Sequence, residues 1–134
     1  MLELLELTPQ DTLLELGAGD GGILLEAARR YGARAIGYEI NPFLAAIAAI
    51  RIWLAGEIKR VVVHRGNFFR RPLPAATALC LFLMPTGARR VSQEILPQFA
   101  AGTRVVSYAF SFPGRAPARV VRQGKGPSIF LYRL

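Results

Sequence analysis

The 134-residue sequence predicts an α/β fold, a doubly wound and mostly parallel sheet that ends in an antiparallel hairpin. Three observations lead there. Strand-like and helix-like runs alternate along the chain, as parallel strands joined by crossover helices require. A glycine cluster, "GAGDGG" at residues 17–22, follows the first strand-like run directly. The C-terminal stretch "ARVVRQGKGPSIFLYRL" breaks the alternation and holds two strand-like runs around a Gly-Lys-Gly-Pro turn, which is a hairpin pattern.

The elements follow in order. "MLELLEL" is helix-like, and "DTLLEL" reads as the first strand. Asp20 is placed to cap a helix from Gly21 to Tyr31, with Leu24, Ala27, Ala28 and Tyr31 on one face and Gly32 as its stop. "RAIGYE" is the second strand. Asn41 followed by Pro42 is an N-cap with a first-turn proline, and the helix it opens runs to Gly56. "RVVVHRG" and "TALCLFLM" read as the third and fourth strands, a helix covers about 88–96, and "GTRVVSYAF" is the fifth strand. The run Phe43 to Leu54 is apolar on almost every side and interrupted only by Arg51, so it predicts cover on several sides. It is much shorter than the roughly 20 residues of a membrane span.

Composition describes one domain over residues 1–134. Hydrophobic residues make up 52% and charged residues 19%, the mark of a chain that buries a core. Glu3 and Glu6 stand where a secretory signal would be basic. The single cysteine, Cys80, cannot form an internal disulfide and reads as packing. A cytoplasmic location is the expectation. No cluster of His, Cys and acids suggests a metal, and His64, alone among arginines, reads as a surface residue more than a general base.

The net charge of +8 is unevenly spread. Residues 1–57 sum to −4 and residues 58–134 to +12, the latter holding a single acid, Glu94. Such a surplus favours an anionic partner, whether nucleic acid, an acidic protein or a lipid surface. It is also compatible with a plain solvated surface in an arginine-rich chain.

The glycine cluster falls at the carboxyl end of the first strand, where open α/β sheets bind ligands. Gly17, Gly19 and Gly22 fit the spacing G-x-G-x-x-G of a dinucleotide site. The acids oppose that reading. A dinucleotide sets its pyrophosphate on the helix N-terminus, and Asp20 would fill that place with negative charge while Glu15 adds more nearby. A ligand with positive charge and no phosphate, such as S-adenosylmethionine, removes the conflict. Glu15 or Asp20 would hold its amino group. Glu39, nineteen residues beyond Asp20 at the end of the second strand, would accept both ribose hydroxyls. The plain structural alternative makes Asp20 a helix cap and Glu39 a surface acid.

The stretches "LLELGAGDGGILLEAARRYGARAIGYEINP", "RGNFF", "LFLMP" and "GTRVVSYAFSFPG" together resemble class I, seven-strand S-adenosylmethionine-dependent methyltransferases. More narrowly, the chain resembles the small protein-lysine methyltransferase family of archaeal broad-specificity enzymes and the mitochondrial ATP synthase c-subunit lysine methyltransferase. The resemblance implies a Rossmann-like, minimal class I methyltransferase fold with S-adenosylmethionine as cofactor. It places Glu15, Gly17, Ala18, Gly19 and Asp20 in the methionine-end loop and Glu39 on the ribose. Ile40 would pack on the adenine, and Asn67, with Phe68 beside it, would face the adenine amino group. The chain departs from the family pattern at Glu15 and Asn67, where Asp is usual, and at Gly22, where Arg is usual. Relatives also carry a Pro- and aromatic-containing lid segment before the first strand, which here is expected to be shortened or missing.

Methyl transfer from a sulfonium needs alignment and exclusion of water more than a proton relay. A lysine acceptor must also lose its proton, against an ordinary pKa of about 10.4. Tyr108, Phe110 and Phe112 alternate at the end of the fifth strand and are candidates to line an apolar acceptor channel; ordinary core packing is their alternative. The partner implied is a protein with an accessible lysine. A nucleic-acid-binding protein or nucleic-acid methyltransferase using the basic half is the rival, with weak, salt-sensitive binding expected. The fourth strand ends in "FLMP" and lacks the Asn/Asp-Pro-Pro-aromatic motif of base-amino methylation, and no insertion is large enough for a target-recognition domain. A non-catalytic S-adenosylmethionine binder is the third reading.

Overall fold

In the computed structural model, which describes all 134 residues, the chain forms a seven-stranded sheet. The elements are β1 (Thr12–Leu16), α1 (Gly22–Tyr31), β2 (Arg34–Glu39), α2 (Pro42–Leu54), β3 (Val61–Arg65), β4 (Ala78–Leu81), α3 (Pro85–Arg90), β5 (Arg104–Tyr108), β6 (Arg119–Arg122) and β7 (Ser128–Arg133). The strand order is β3-β2-β1-β4-β5-β7-β6. The first five strands run parallel, and β7 joins β5 antiparallel with β6 outside it, as the hairpin pattern predicts. The order reverses at β1, between β2 and β4, which puts the glycine loop at the switch point.

β1 and β4 are covered on both faces; β4 reads as a continuous apolar run, and β1 is interrupted only by Thr12 and the buried Glu15. Leu13, Ala78 and Val106 point to the side of α1, α2 and the N-terminal turn Leu2–Leu5. Leu14, Leu79 and Val105 point to the other side, against Ala88, Val91 and Leu96. Two glycines set the approach of the helices on the first side. A Cβ at Gly37 on β2 would lie 2.6 Å from Leu24 Cδ1 and 2.7 Å from Ala18 Cβ. One at Gly21 would lie 3.1 Å from Ala48 Cβ. Gly22, which the G-x-G-x-x-G spacing singles out, has no contact as close as those at Gly37.

Four expectations are corrected. α1 begins at Gly22, after Gly21 in a left-handed conformation (φ 81°), although Asp20 Oδ1 does accept the Gly22 N–H at 3.0 Å. The third crossover helix starts at Pro85, earlier than the expected 88, because the proline takes a first-turn position where it loses no hydrogen bond. It then widens into a π-turn over Val91–Ile95 and tightens into a 3₁₀ turn at Leu96–Gln98. β5 ends at Tyr108, since Ala109 turns the chain with φ 72°. Finally, α2 is covered on one side only. Ala45, Ala48 and Ile52 pack on the sheet, while Phe43, Ile47, Ile50, Trp53 and Leu54 are exposed by between 47% and 79%. Its start is as read: Asn41 Oδ1 accepts from Phe43 N–H at 2.9 Å and Leu44 N–H at 3.3 Å.

The amino ends of the strands are wired together. Asp11 accepts hydrogen bonds from Thr8 N–H, Thr8 Oγ1 and Thr77 Oγ1 and pairs with Arg104 on β5. Arg104 also donates to the Leu5 and Glu6 carbonyls, fixing the N-terminal turn to the sheet. No helix is long and apolar enough to cross a membrane.

Candidate cofactor and acceptor sites

The glycine loop turns back over the carboxyl end of β1 through positive φ at Gly17 (89°) and Gly19 (56°), which side chains rarely adopt. The Gly17 and Ala18 N–H groups both donate to the Tyr38 carbonyl, at 3.0 and 2.9 Å. The loop is thereby tied to β2. Glu39, 8% exposed, adds a second tie: Oε1 accepts the Gly19 N–H at 2.8 Å and Oε2 accepts the Asn41 N–H at 2.9 Å. Each oxygen retains a lone pair after one such bond, so the same carboxylate can still receive two hydroxyls.

Beside this loop lies a cavity of about 320 Å³. It is lined by Gly17, Tyr38, Glu39 and Ile40, by Gly66, Asn67, Phe68 and Phe69, and by Leu83 and Arg90. Ile40 is 67% exposed and offers an apolar surface to a flat ligand. Asn67 Oδ1 accepts the Phe69 N–H at 2.9 Å, which caps the short turn Phe68–Arg70. The Arg90 guanidinium stacks 3.8 Å from the Phe69 ring centroid while holding Glu94 at 3.0 Å. The cavity brings together five of the sequence-derived residues: Gly17, Glu39, Ile40, Asn67 and Phe68. Tyr38, Phe69, Leu83 and Arg90 were not anticipated. Arg90 was hidden inside a helix whose start was misplaced, whereas Phe69 stands next to a residue already chosen.

The remaining acids of the loop differ from each other. Asp20 is exposed and engaged on both oxygens, by the Gly22 N–H and by Arg51 at 2.7 Å. Its observed geometry is that of a cap and a surface ion pair. Glu15 is 5% exposed and its Oε2 has no hydrogen-bond partner. Burial, and then the negative charges of Asp20 and Glu39, push its carboxyl well above the usual range. Glu15 pairs in register with Cys80, whose thiol burial also pushes up, leaving an inert packed sulfur.

A second cavity of about 340 Å³ opens at the carboxyl ends of β4 and β5, on the α1 side. Met1, Ile23, Phe82, Tyr108, Gln123 and Ile129 line it, and the Phe82 and Tyr108 rings meet edge-on with centroids 5.2 Å apart. The three aromatics expected to alternate along one face do not share one. Tyr108 packs on the α1 side, whereas Phe110 and Phe112 belong to the opposite core. The turn at Ala109 breaks the strand, Ser107 Oγ donates to the Phe110 carbonyl, and Phe112, 2% exposed, donates its N–H to Tyr132 Oη at 2.9 Å. His64 is exposed, packs on Tyr38 at 5.2 Å and lines neither cavity. Neighbouring residues of "FLMP" line the two cavities: Leu83 the first and Phe82 the second.

Residues 15–119 match the family described as the ANTKMT methyltransferase domain. A protein-lysine N-methyltransferase from Saccharolobus islandicus is 31% identical over 136 aligned residues, covering 98% of this chain and 84% of its own. The mouse adenine nucleotide translocase lysine N-methyltransferase is 35% identical over 84% of this chain, which spans about half (49%) of the mouse protein. A crystal structure titled as an RNA methyltransferase from Salinibacter ruber, in complex with S-adenosyl-L-homocysteine, superposes with a TM-score of 0.94 at 33% identity, covering 98% of this chain and 86% of that one. The matched family, the glycine loop with Glu39 and the class I strand order agree, and the chain belongs to the ANTKMT methyltransferase domain family of S-adenosylmethionine-dependent methyltransferases.

Proposed function

We propose that the chain methylates the side-chain amine of a protein lysine. The observation that carries this reading is the pair of cavities lined by the neighbouring residues Leu83 and Phe82, one beside the glycine loop and one lined mainly by apolar side chains. The first suits the cofactor: Glu39 receives the ribose hydroxyls, Ile40 and Phe68 cover the adenine, and Asn67 faces its amino group. Glu15, buried with an oxygen unpartnered, is the carboxylate available to the methionine amino group; a cation there would draw it into its ionised form. Ala18 and Gly19 present backbone at the same end. Asp20 acts one step removed, by fixing the helix start. When bound, the cofactor supplies an electrophilic methyl group.

The second cavity suits the acceptor. A lysine chain of four methylenes fits between Phe82, Tyr108 and Ile23, which exclude water and so favour the neutral amine. No side chain there is placed as a strong base, in keeping with a reaction that depends on alignment and desolvation. The lysine enzymes among the relatives support this acceptor. The similarity to the Salinibacter ruber RNA methyltransferase supports a second acceptor, RNA. The test is to incubate the protein with methyl-labelled S-adenosylmethionine and a mixture of proteins, RNA and DNA, and to locate the label. Label on lysine is expected; label confined to RNA overturns the lysine reading.

A further inference from the structure

The outer wall of the acceptor cavity, Gln123 and Ile129, belongs to the β6–β7 hairpin. That hairpin carries Arg119, Arg122, Lys125 and Arg133, all exposed. None of them takes part in any of the five ion pairs of the structure. No acid follows Glu94 in the sequence, and Glu94 is held by Arg90. Surface arginines usually stand among acids that neutralise them; here Arg122 and Lys125, at the turn beside the cavity, have no ion-pair partner, while Arg133 stands at the far end of β7 in register with Arg104. A lysine carried in a basic segment would meet like charge as it approached, which slows encounter and costs affinity.

We propose that the β6–β7 hairpin selects acceptor lysines that lie in acidic protein segments, with Arg122 and Lys125 receiving the flanking carboxylates at the cavity mouth. This rests on the lysine reading above. Arg122 immediately precedes Gln123, and Lys125 sits in the turn that returns the chain toward Ile129, so both stand within two residues of a Gln123 that lines the cavity. Acidic residues on either side of the acceptor lysine would pair with these two groups while the lysine stem enters between Phe82 and Tyr108. The positive wall then serves twice. It recruits the acidic flanks, and it disfavours the charged form of the lysine that must become an amine. A nucleic acid would satisfy the charge as well, but the cavity it would have to enter offers a base edge few polar groups: Gln123 and the Tyr108 hydroxyl are the side chains able to hydrogen-bond there.

The test uses three peptides with one central lysine, flanked by glutamates, by alanines and serines, or by arginines. The expected order of kcat/KM is acidic, neutral, basic, with about tenfold between the ends at low salt and a gap that narrows toward physiological ionic strength. In the double variant Arg122→Glu/Lys125→Glu the order reverses, and unchanged S-adenosylhomocysteine affinity shows that the fold and cofactor site are intact. Equal rates on all three peptides, or a preference for the basic one, overturn the charge proposal and leave the lysine reading standing. Methylation of an added single-stranded RNA with none of any peptide overturns both.

Discussion

β1 has a buried acid at each end, and the two are treated in opposite ways. Asp11, 8% exposed, precedes the strand and has partners on both oxygens: two threonines, a backbone amide and Arg104. Burial alone would raise its carboxyl, but the hydrogen bonds of Thr77 and Thr8 and the charge of Arg104 hold it below the ordinary value. Glu15, 5% exposed, stands near the other end with an unpartnered oxygen and two negative neighbours, and its carboxyl rises. A protein made only for stability would leave neither orphaned. The difference separates an acid wired into the fold from one left without a partner.

Replacing each acid in turn sharpens or breaks that contrast. The largest effect belongs to Asp11→Ala, which strands Arg104 in a half-closed site and is expected to cost about 3 kcal/mol in urea unfolding. Because the Asp11 carboxyl is depressed when folded, its stabilisation is present above the ordinary value of 3.8 and is lost as pH falls through the folded value. Asp11→Asn should therefore flatten the acid side of the stability curve. A loss below 1 kcal/mol for the alanine variant would mean that the wired end is not wired. Glu39→Ala comes next. It removes both the loop ties and the proposed ribose acceptor, so S-adenosylhomocysteine should bind at least tenfold more weakly, about 1.4 kcal/mol or more, and an unchanged dissociation constant by calorimetry would remove Glu39 from the site.

Glu15→Gln has a smaller effect and a distinctive sign. A raised folded value means that stability is full below the ordinary 4.5 and declines as pH rises through the folded value. The decline is about 1.4 kcal/mol for each unit of elevation. The glutamine variant should lose this slope above pH 4.5, gaining stability at higher pH while binding the cofactor less well. If its slope matches the parent's, Glu15 is ionised and partnered in solution and the contrast with Asp11 fails. The smallest effect is that of Asp20→Asn, which keeps the acceptor for the Gly22 N–H and loses only an exposed ion pair. Stability should change by less than about 1 kcal/mol. A large loss of cofactor affinity here would return Asp20 to the methionine end.

The cavity beside the glycine loop was legible in the sequence because its requirements are local. Positive φ at Gly17 and Gly19 demands glycine, and Glu39 sits at a strand end fixed by the alternation of elements. Even there the motif misled in detail: the tightest glycine is Gly37, whose neighbours Leu24 and Ala18 come together only after folding. Of the second cavity, only Tyr108 was legible as a lining residue. Its other walls come from Met1, α1, the end of β4 and the hairpin, segments brought together by the sheet and not by spacing. The expected partners of Tyr108 failed because one residue, Ala109, adopts φ 72° and sends Phe110 and Phe112 to the opposite core. Nothing in an alanine announces that. The one-sided cover of α2 was equally hidden, since an all-apolar helix pattern does not say which face its neighbours reach.

That bare face of α2 decides how unfolding has to be watched. Trp53 is the only tryptophan in the chain and is 68% exposed in the folded state. Its emission already reports a wet environment, so it shifts little when the chain unfolds. Dyes that brighten on apolar surface fare no better, because Phe43, Ile50 and Leu54 offer them a surface before any heat or urea is applied. Far-ultraviolet circular dichroism, which reads the sheet and α1, is the signal that separates folded from unfolded protein in this chain.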